Sequence, residues 1–115
     1  MNLTAVTLDE LLADFELTAE KWKEFFAANP AAAEVPTDIA GSGTVGALVW
    51  HIYAAAVRHS DRLLNEPLSE FPGAAKNLAS AWELETRASA NLRRFVAGAN
   101  DAALDGNLSS NADRR

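Results

Sequence analysis

The side chains available for metal or acid–base chemistry in this chain of 115 residues are two histidines, His51 and His59, sixteen acids and the hydroxyls, because it includes no cysteine. Disulfides, thiolate zinc sites, iron–sulfur clusters and cysteine nucleophiles are therefore excluded. The two histidines are eight positions apart, which on a helix gives a rotation of about 80° and a rise of about 12 Å. A metal ion needs each ring nitrogen at about 2.1 Å, so we expect that the two do not share an ion.

Taken singly, the histidines lie differently on their predicted helix. His59 lies near the centre of the apolar sector, which favours a packed histidine with one nitrogen satisfied. His51 lies at the edge of that sector, beside Arg58 and Arg62, where it could face a second groove that a ligand or metal reaches. Periodicity by itself favours a packing role for both, and it leaves a ligand role for His51 open.

Glu85 lies close to the apolar stripe of a later helix and is interpreted as a boundary residue. The alternatives are that it pairs with an arginine of another helix, or that it is an acid that contacts a metal ligand.

Three amphipathic helices must position these side chains, and no strand pattern competes with them. Apolar residues at steps of three and four predict helices at about 7–29, 44–66 and 74–98. The fold class is therefore all-α, and we expect an antiparallel up-down bundle of three long helices. Residues 1–104 form the predicted bundle domain, and residues 105–115 a polar tail.

The helix ends carry recognisable signals. Thr7 and Glu10 fit a capping box, Thr44 is predicted as a second N-cap, and Gly98 is predicted as a C-cap. In the middle helix, Trp50 is predicted to lie off the core-facing side. The side of that helix away from the core is predicted to carry Arg58, Asp61 and Arg62. The core-facing residues predicted for that helix are Val45, Leu48, Val49, Ile52, Ala56, His59 and Leu63. Trp22 and Trp82 are predicted on the core-facing stripes of the first and third helices. The stripe predicted for the third helix consists of Leu78, Ala81, Trp82, Glu85, Ala88, Leu92, Phe95 and Val96.

Composition narrows the function classes. Apolar residues make up 49% of the chain and charged residues 23%, which suits one ordinary globular domain. The net charge of −6 argues against nucleic acid as a partner, since phosphate backbones select basic surfaces. No stretch approaches the roughly 20 apolar residues of a membrane span, and the first residues lack a basic start. We therefore expect a cytoplasmic protein with no membrane partner.

The stretch from Asp38 to Pro67, DIAGSGTVGALVWHIYAAAVRHSDRLLNEP, resembles the second-helix region of the DinB/YfiT-like superfamily of metal-dependent bundles. The matching features are the cap Thr44, Val45 and Leu48, His51 three residues on, and then Arg58 with the leucines that follow. The segments LDELLADFELTAEKWKEFF and AWELETRASANLRRFV resemble the first and third helices of that family. The resemblance therefore covers most of the chain.

The resemblance implies a four-helix bundle that holds a divalent metal, commonly zinc or nickel, through three histidines. It maps the first metal ligand onto His51 and gives His59 no ligand position. The other two ligands form a His-x-x-x-His pair on a fourth helix, and this sequence contains no such pair. By this resemblance the chain is a C-terminally short member that lacks the fourth helix, and its expected metal site is incomplete. Either the chain is a fragment or altered at its end, or another subunit completes the bundle, or the metal site is absent.

Two functions remain from the sequence. The resemblance implies a metal-binding or degenerate metal-binding protein, related to enzymes that transfer groups with small bacterial thiols. The alternative is a non-catalytic helical association domain in which both histidines only pack. Three helices with apolar stripes would leave a groove partly open, and exposed grooves of that kind attract partners. We therefore expect a homodimer whose interface involves the second and third helices.

Overall fold

The structure, a computed structural model, describes residues 7–39, 41 and 43–106. Within these ranges the chain is all-α, as predicted, and contains no strand. Its elements are α1 (Leu8–Ala28), a short 3-10 helix (Pro30–Glu34), α2 (Val45–Leu63) and α3 (Leu78–Gly106).

The predicted N-terminal caps of the first two helices are confirmed. The Thr7 hydroxyl oxygen accepts from the Glu10 N–H at 3.1 Å, and the Glu10 carboxylate accepts from the Thr7 N–H at 2.8 Å. This reciprocal pair satisfies two amide groups that a helix start leaves without partners. Thr44 caps α2 by accepting from the Ala47 N–H at 3.2 Å.

The second helix ends at Leu63, before the position expected from Pro67. Asn65 adopts a left-handed backbone with φ of 58°, and its N–H donates to the Arg62 carbonyl at 3.0 Å. The next N–H, of Glu66, reaches back to the Asp61 carbonyl at 2.9 Å. This pattern is a Schellman motif, in which asparagine replaces the more common glycine.

The third helix also differs from its prediction at both ends. It begins at Leu78 rather than near residue 74, because the Asn77 side chain accepts from the Ser80 N–H at 3.0 Å and caps it. The predicted C-cap at Gly98 is wrong, since α3 continues to Gly106. The predicted polar tail at 105–115 thus begins inside α3, and its remainder lies outside the described residues.

The two later helices run in the same direction. The Tyr53 and Trp82 rings lie 6.0 Å apart, and Asn91 donates to the Ser60 hydroxyl at 3.1 Å, so residue numbers rise together along α2 and α3. An up-down order is therefore wrong for this pair. The 19 residues of α2 are about 28 Å long, a distance that the segment 64–77 can span at about 3.3 Å per residue.

Contacts of α1 with α3 run in the opposite order. The Arg93 guanidinium lies 2.6 Å from the Glu16 carboxylate, and the Lys23 ammonium 2.9 Å from the Glu85 carboxylate. The first helix therefore crosses the parallel pair in reverse, and its Phe15 ring meets the Tyr53 ring of α2 edge-on at 5.9 Å.

The core-facing side of α2 is rotated from the predicted one. Ile52 and Leu63 are 53% and 51% exposed, and His59 is exposed. The residues that α2 buries are Gly46, Val49, Trp50, Tyr53, Ala54, Val57, Ser60 and Asp61. This helix is apolar around most of its circumference near its start, so periodicity did not distinguish the two sides. The large rings Trp50 and Tyr53 face inward because they fill the space against α3 and the 64–77 segment.

Outside α2, the stripe predicted for α3 lies on the buried side. Ala81, Glu85, Ala88 and Val96 are buried. The prediction for α1 is wrong at Trp22, which is 43% exposed. No helix among the described residues is long and apolar enough to cross a membrane.

Candidate functional site

The outer side of α2 and the 64–77 segment form an open cleft of about 560 Å³, here named the histidine cleft. Its lining residues are Trp50, His51, Ala54, Ala55, Arg58, His59, Arg62, Phe71 and Lys76. The volume lies within the range of about 300–1,000 Å³ that is typical of small-molecule sites. Both histidines of the chain line this one cleft.

The two histidines differ in exposure and in contacts. His51 is half-buried, and its ring lies 5.2 Å from the Trp50 ring at an angle of 83°. His59 is exposed, and its Nδ1 lies 3.4 Å from an Arg62 guanidinium nitrogen. Because a guanidinium can only donate, Nδ1 accepts, and the neutral ring then carries its proton on Nε2.

Positive charge is concentrated in the histidine cleft. Arg58, Arg62 and Lys76 line it together with the histidines, and no acidic residue is among the lining residues. The four ion pairs between described residues use Lys23, Arg93 and Arg94, and none of them involves a cation of the cleft. The cleft is therefore a local positive site in a chain of net charge −6.

Trp50 forms the inner wall of the cleft. It is 5% exposed, the Phe71 ring lies 5.8 Å from it edge-on, and the Lys76 ammonium lies 5.4 Å from its ring centroid. Sequence reasoning placed Trp50 off the core side and did not assign Phe71 or Lys76 to any site. The signal it lacked was the return path of the 64–77 segment, which periodicity does not encode.

The described residues do not provide a complete metal centre. Within residues 7–39, 41 and 43–106, no three histidine, aspartate or glutamate side chains lie close enough together to hold an ion. The histidines share the cleft but remain separated by two turns of α2, a rise of about 12 Å. The residues present thus do not fit the three-histidine site that the family resemblance implies, and the ligand role of His51 stays a prediction.

A second polar cluster lies on the opposite side of α2, and it consists of Ser60, Asp61, Ser69, Arg87 and Asn91. The Asp61 carboxylate accepts from the Ser69 N–H at 2.8 Å and from the Asn91 amide at 3.1 Å. Arg87 donates to the Ser69 hydroxyl at 3.0 Å. Asp61 was predicted on the solvent side of α2, but it is 5% exposed. This Asp61 cluster fixes the 64–77 segment to α2 and α3.

The charge state of Asp61 follows from these contacts. Burial is the largest single influence and raises the pKa of the carboxyl, but the hydrogen bonds from Ser69 and Asn91, with the positive charge of Arg87, together outweigh it. The pKa of Asp61 is therefore lowered from its usual value, and the carboxylate form is favoured.

Glu85, predicted as a boundary residue, is buried and pairs with Lys23 across the bundle at 2.9 Å. The hydrogen bond to Glu85 raises the pKa of Lys23. Burial raises the pKa of Tyr53, and the nearby charge of Glu85 adds to the effect. These groups lie inside the bundle rather than in the histidine cleft, so we assign them a structural role.

An apolar groove lies where the start of α1 meets the ends of α2 and α3. Its lining residues are Leu8, Leu11, Leu12, Phe15, Leu63, Leu92, Phe95 and Val96. Leu11 and Leu63 are each more than half exposed, so this surface presents apolar side chains to solvent.

Comparison with known proteins adds no assignment. No family model, no curated protein and no solved structure matches the chain. The functional interpretation therefore rests on the geometry of the described residues.

Proposed function

We propose that this protein is a degenerate DinB-like bundle, which binds a small molecule in the histidine cleft without a complete metal centre of its own. The observation that carries the proposal is the lining of one cleft of about 560 Å³. Both histidines and three cations line it, and no acidic residue is among its lining residues. Exposed cations are solvated without a partner, so the proposal rests on their convergence with both histidines on one concave surface, the usual form of a small-molecule site.

The DinB-like identity is supported by the resemblance around His51 and by the all-α architecture. The antiparallel packing of such a bundle is proposed only for α1 against α2 and α3, because α2 and α3 run in the same direction. The proposal includes a relationship to thiol-dependent transferases. We assign no reaction step to the chain.

A divalent metal, zinc or nickel, is the occupant that the resemblance implies at His51. Because no three candidate ligands among the described residues lie together, such an ion would need ligands from outside these residues. We therefore expect that zinc or nickel added to the purified protein does not bind tightly and stoichiometrically.

Calorimetric titration of zinc and nickel into the wild-type protein, His51→Ala and His59→Ala tests the degenerate metal site. The expected result is the same weak binding in all three proteins. Tight binding with one ion per chain, lost in His51→Ala and kept in His59→Ala, would show a working metal centre and overturn this part of the proposal.

Ligand binding in the cleft is tested separately by ¹H–¹⁵N spectra recorded with a panel of small anionic, neutral and cationic molecules. Shifts confined to the amides of the cleft residues, including His51 and Phe71, are expected for at least one class. Spectra that stay unchanged with every class, or that change only elsewhere, contradict the proposal.

The second candidate is a helical association domain, and the apolar groove favours it. Leu11 at 54% exposure and Leu63 at 51% would lose solvent contact in a homodimer, which burial of apolar area stabilises. The groove combines the start of α1 with the ends of α2 and α3, so the predicted interface on the later two helices would have to include α1.

Light scattering at micromolar concentration tests the dimer. A dimeric mass that becomes monomeric in Leu11→Lys, and stays dimeric in the control Leu17→Lys on another part of α1, supports association through the groove. A monomeric wild-type protein rules it out and leaves the cleft proposal unaffected.

A further inference from the structure

The cations of the histidine cleft lie at two levels along α2. Arg58 and Arg62 are one helical turn apart, and residues at that spacing are neighbours on a helix surface. Lys76 lies at the level of Trp50, with its ammonium 5.4 Å from that ring centroid. The seven residues from His51 to Arg58 correspond to a rise of about 10 Å, which separates the two positive ends of the cleft.

Between these levels the lining is apolar. On α2, Ala54 and Ala55 line the stretch between the two charged ends, and the half-buried Phe71 extends the apolar lining against the Trp50 ring, 5.8 Å away. A ligand complementary to this order of groups has an uncharged middle and an anionic group at each end. The guanidinium forks of Arg58 and Arg62 suit phosphate, whose oxygens accept paired, charge-assisted hydrogen bonds.

We propose that the histidine cleft binds a phosphorylated small molecule, with one phosphate held by Arg58 and Arg62 and a second anionic group at Lys76 beside His51. The inference rests on the proposed ligand cleft and names its ligand class. The exposed ring of His59, whose Nδ1 lies 3.4 Å from the Arg62 guanidinium, lies at the arginine end and adds a third polar side chain there.

The dimensions separate this ligand class from larger polyanions. The cleft volume of about 560 Å³ fits a small molecule. The net charge of −6 opposes the approach of a nucleic acid, whose affinity depends on many phosphate contacts. Anion binding thus depends on a few cations at fixed positions, and removing one of them should measurably weaken the affinity.

Two probes, inorganic phosphate and fructose 1,6-bisphosphate, test the proposal by calorimetry in chelator-treated, metal-free buffer. The bisphosphate should bind one per chain and more tightly than phosphate. Arg58→Gln and Arg62→Gln should each weaken both probes at least tenfold, the loss expected for a hydrogen bond to a charged group. Lys76→Gln should weaken the bisphosphate by a similar factor and change phosphate binding less than threefold.

Arg93→Gln is the matched control, because it removes the same charge from a side chain that pairs with Glu16 away from the cleft. It should leave both affinities within twofold. Equal weakening by Arg93→Gln would show that the probes sense only overall charge, and would overturn the proposal. Absence of saturable binding of either probe would overturn it as well.

Succinate, a dicarboxylate, separates phosphate from other anions. Tighter binding of succinate than of the bisphosphate would contradict the phosphate assignment. If the phosphates fail while neutral molecules shift the cleft amides in the ¹H–¹⁵N spectra, the ligand class is wrong and the proposed ligand cleft stands. If no class shifts those amides, both fail.

Discussion

The Asp61 cluster and the histidine cleft are carried by adjacent residues of α2, yet their polar groups are satisfied in different ways. Asp61 points inward, and both of its carboxylate oxygens accept hydrogen bonds from neighbouring segments. Arg58 and Arg62 point outward, and no ion pair among the described residues involves them. Paired groups hold the fold together, whereas cations with no acid opposite them are free to bind a ligand.

The two regions share the 64–77 segment. Its Ser69 N–H is held by Asp61, and its Phe71 and Lys76 line the histidine cleft. The Asp61 cluster therefore keeps one wall of the cleft in place. Changes in the cluster should alter stability first, and changes in the cleft should alter binding alone.

The largest expected loss of stability comes from Asp61→Ala. It removes the acceptor of the Ser69 N–H and of one of the two hydrogen bonds that the Asn91 amide donates, both part-buried, which costs about 3 kcal/mol for the two lost bonds. Urea unfolding followed by circular dichroism measures the loss. Asp14→Ala, at an exposed position of α1, is the control and should change the free energy of unfolding by less than about 0.5 kcal/mol. Equal effects of the two substitutions would contradict a structural role for Asp61.

The next largest loss is expected from Lys23→Met. It leaves the buried carboxylate of Glu85 without its cation, and breaking a buried pair destabilises a fold by several kcal/mol. Because Lys23 is itself 32% exposed, we expect about 2 kcal/mol in the same unfolding assay. Lys21→Met removes the same charge from an exposed neighbour and should be close to neutral. Similar losses for both variants would mean that overall charge, and not the pair, is responsible.

A pH series sharpens the assignment of Asp61. Its pKa is lowered in the folded protein, so its contribution to stability is present above the unfolded value of about 3.9. That contribution is lost as the pH falls through the folded value. The wild-type protein should therefore be more stable than Asp61→Asn at neutral pH, with a gap that narrows below about pH 4. A gap independent of pH would contradict the lowered pKa.

The smallest effect is expected from Arg58→Gln and Arg62→Gln. Both side chains are exposed, so each substitution should change the free energy of unfolding by less than about 0.5 kcal/mol. Thermal unfolding checks this directly. A loss above 1 kcal/mol in either variant would place these arginines with the structural groups.

The local signals of the sequence predicted the helices well. Thr7 with Glu10, and Thr44, mark helix starts through contacts three residues apart, so local sequence is sufficient there. The C-terminus of α2 is also encoded locally, because Asn65 can adopt a left-handed backbone. Pro67 is the more conspicuous helix-ending residue, and the predicted end of the helix was placed beside it. Asn77 was a cap that sequence reasoning passed over.

The candidate site depended on information that is not local. Leu48 and Ile52 are as apolar as the residues that α2 buries, so the packing of Trp50 and Tyr53 against α3 decided the rotation of α2. That rotation exposes His59. The parallel course of α3 follows from the path of the 64–77 segment, and the same path brings Lys76 to the cleft.

The central claim is that the cations of the histidine cleft bind a ligand and do not stabilise the fold. The most direct test is calorimetric titration of fructose 1,6-bisphosphate into Arg62→Gln beside the control Arg93→Gln. The account predicts at least a tenfold weaker affinity for Arg62→Gln and an affinity within twofold of wild type for the control. Equal affinities in the two variants would contradict it.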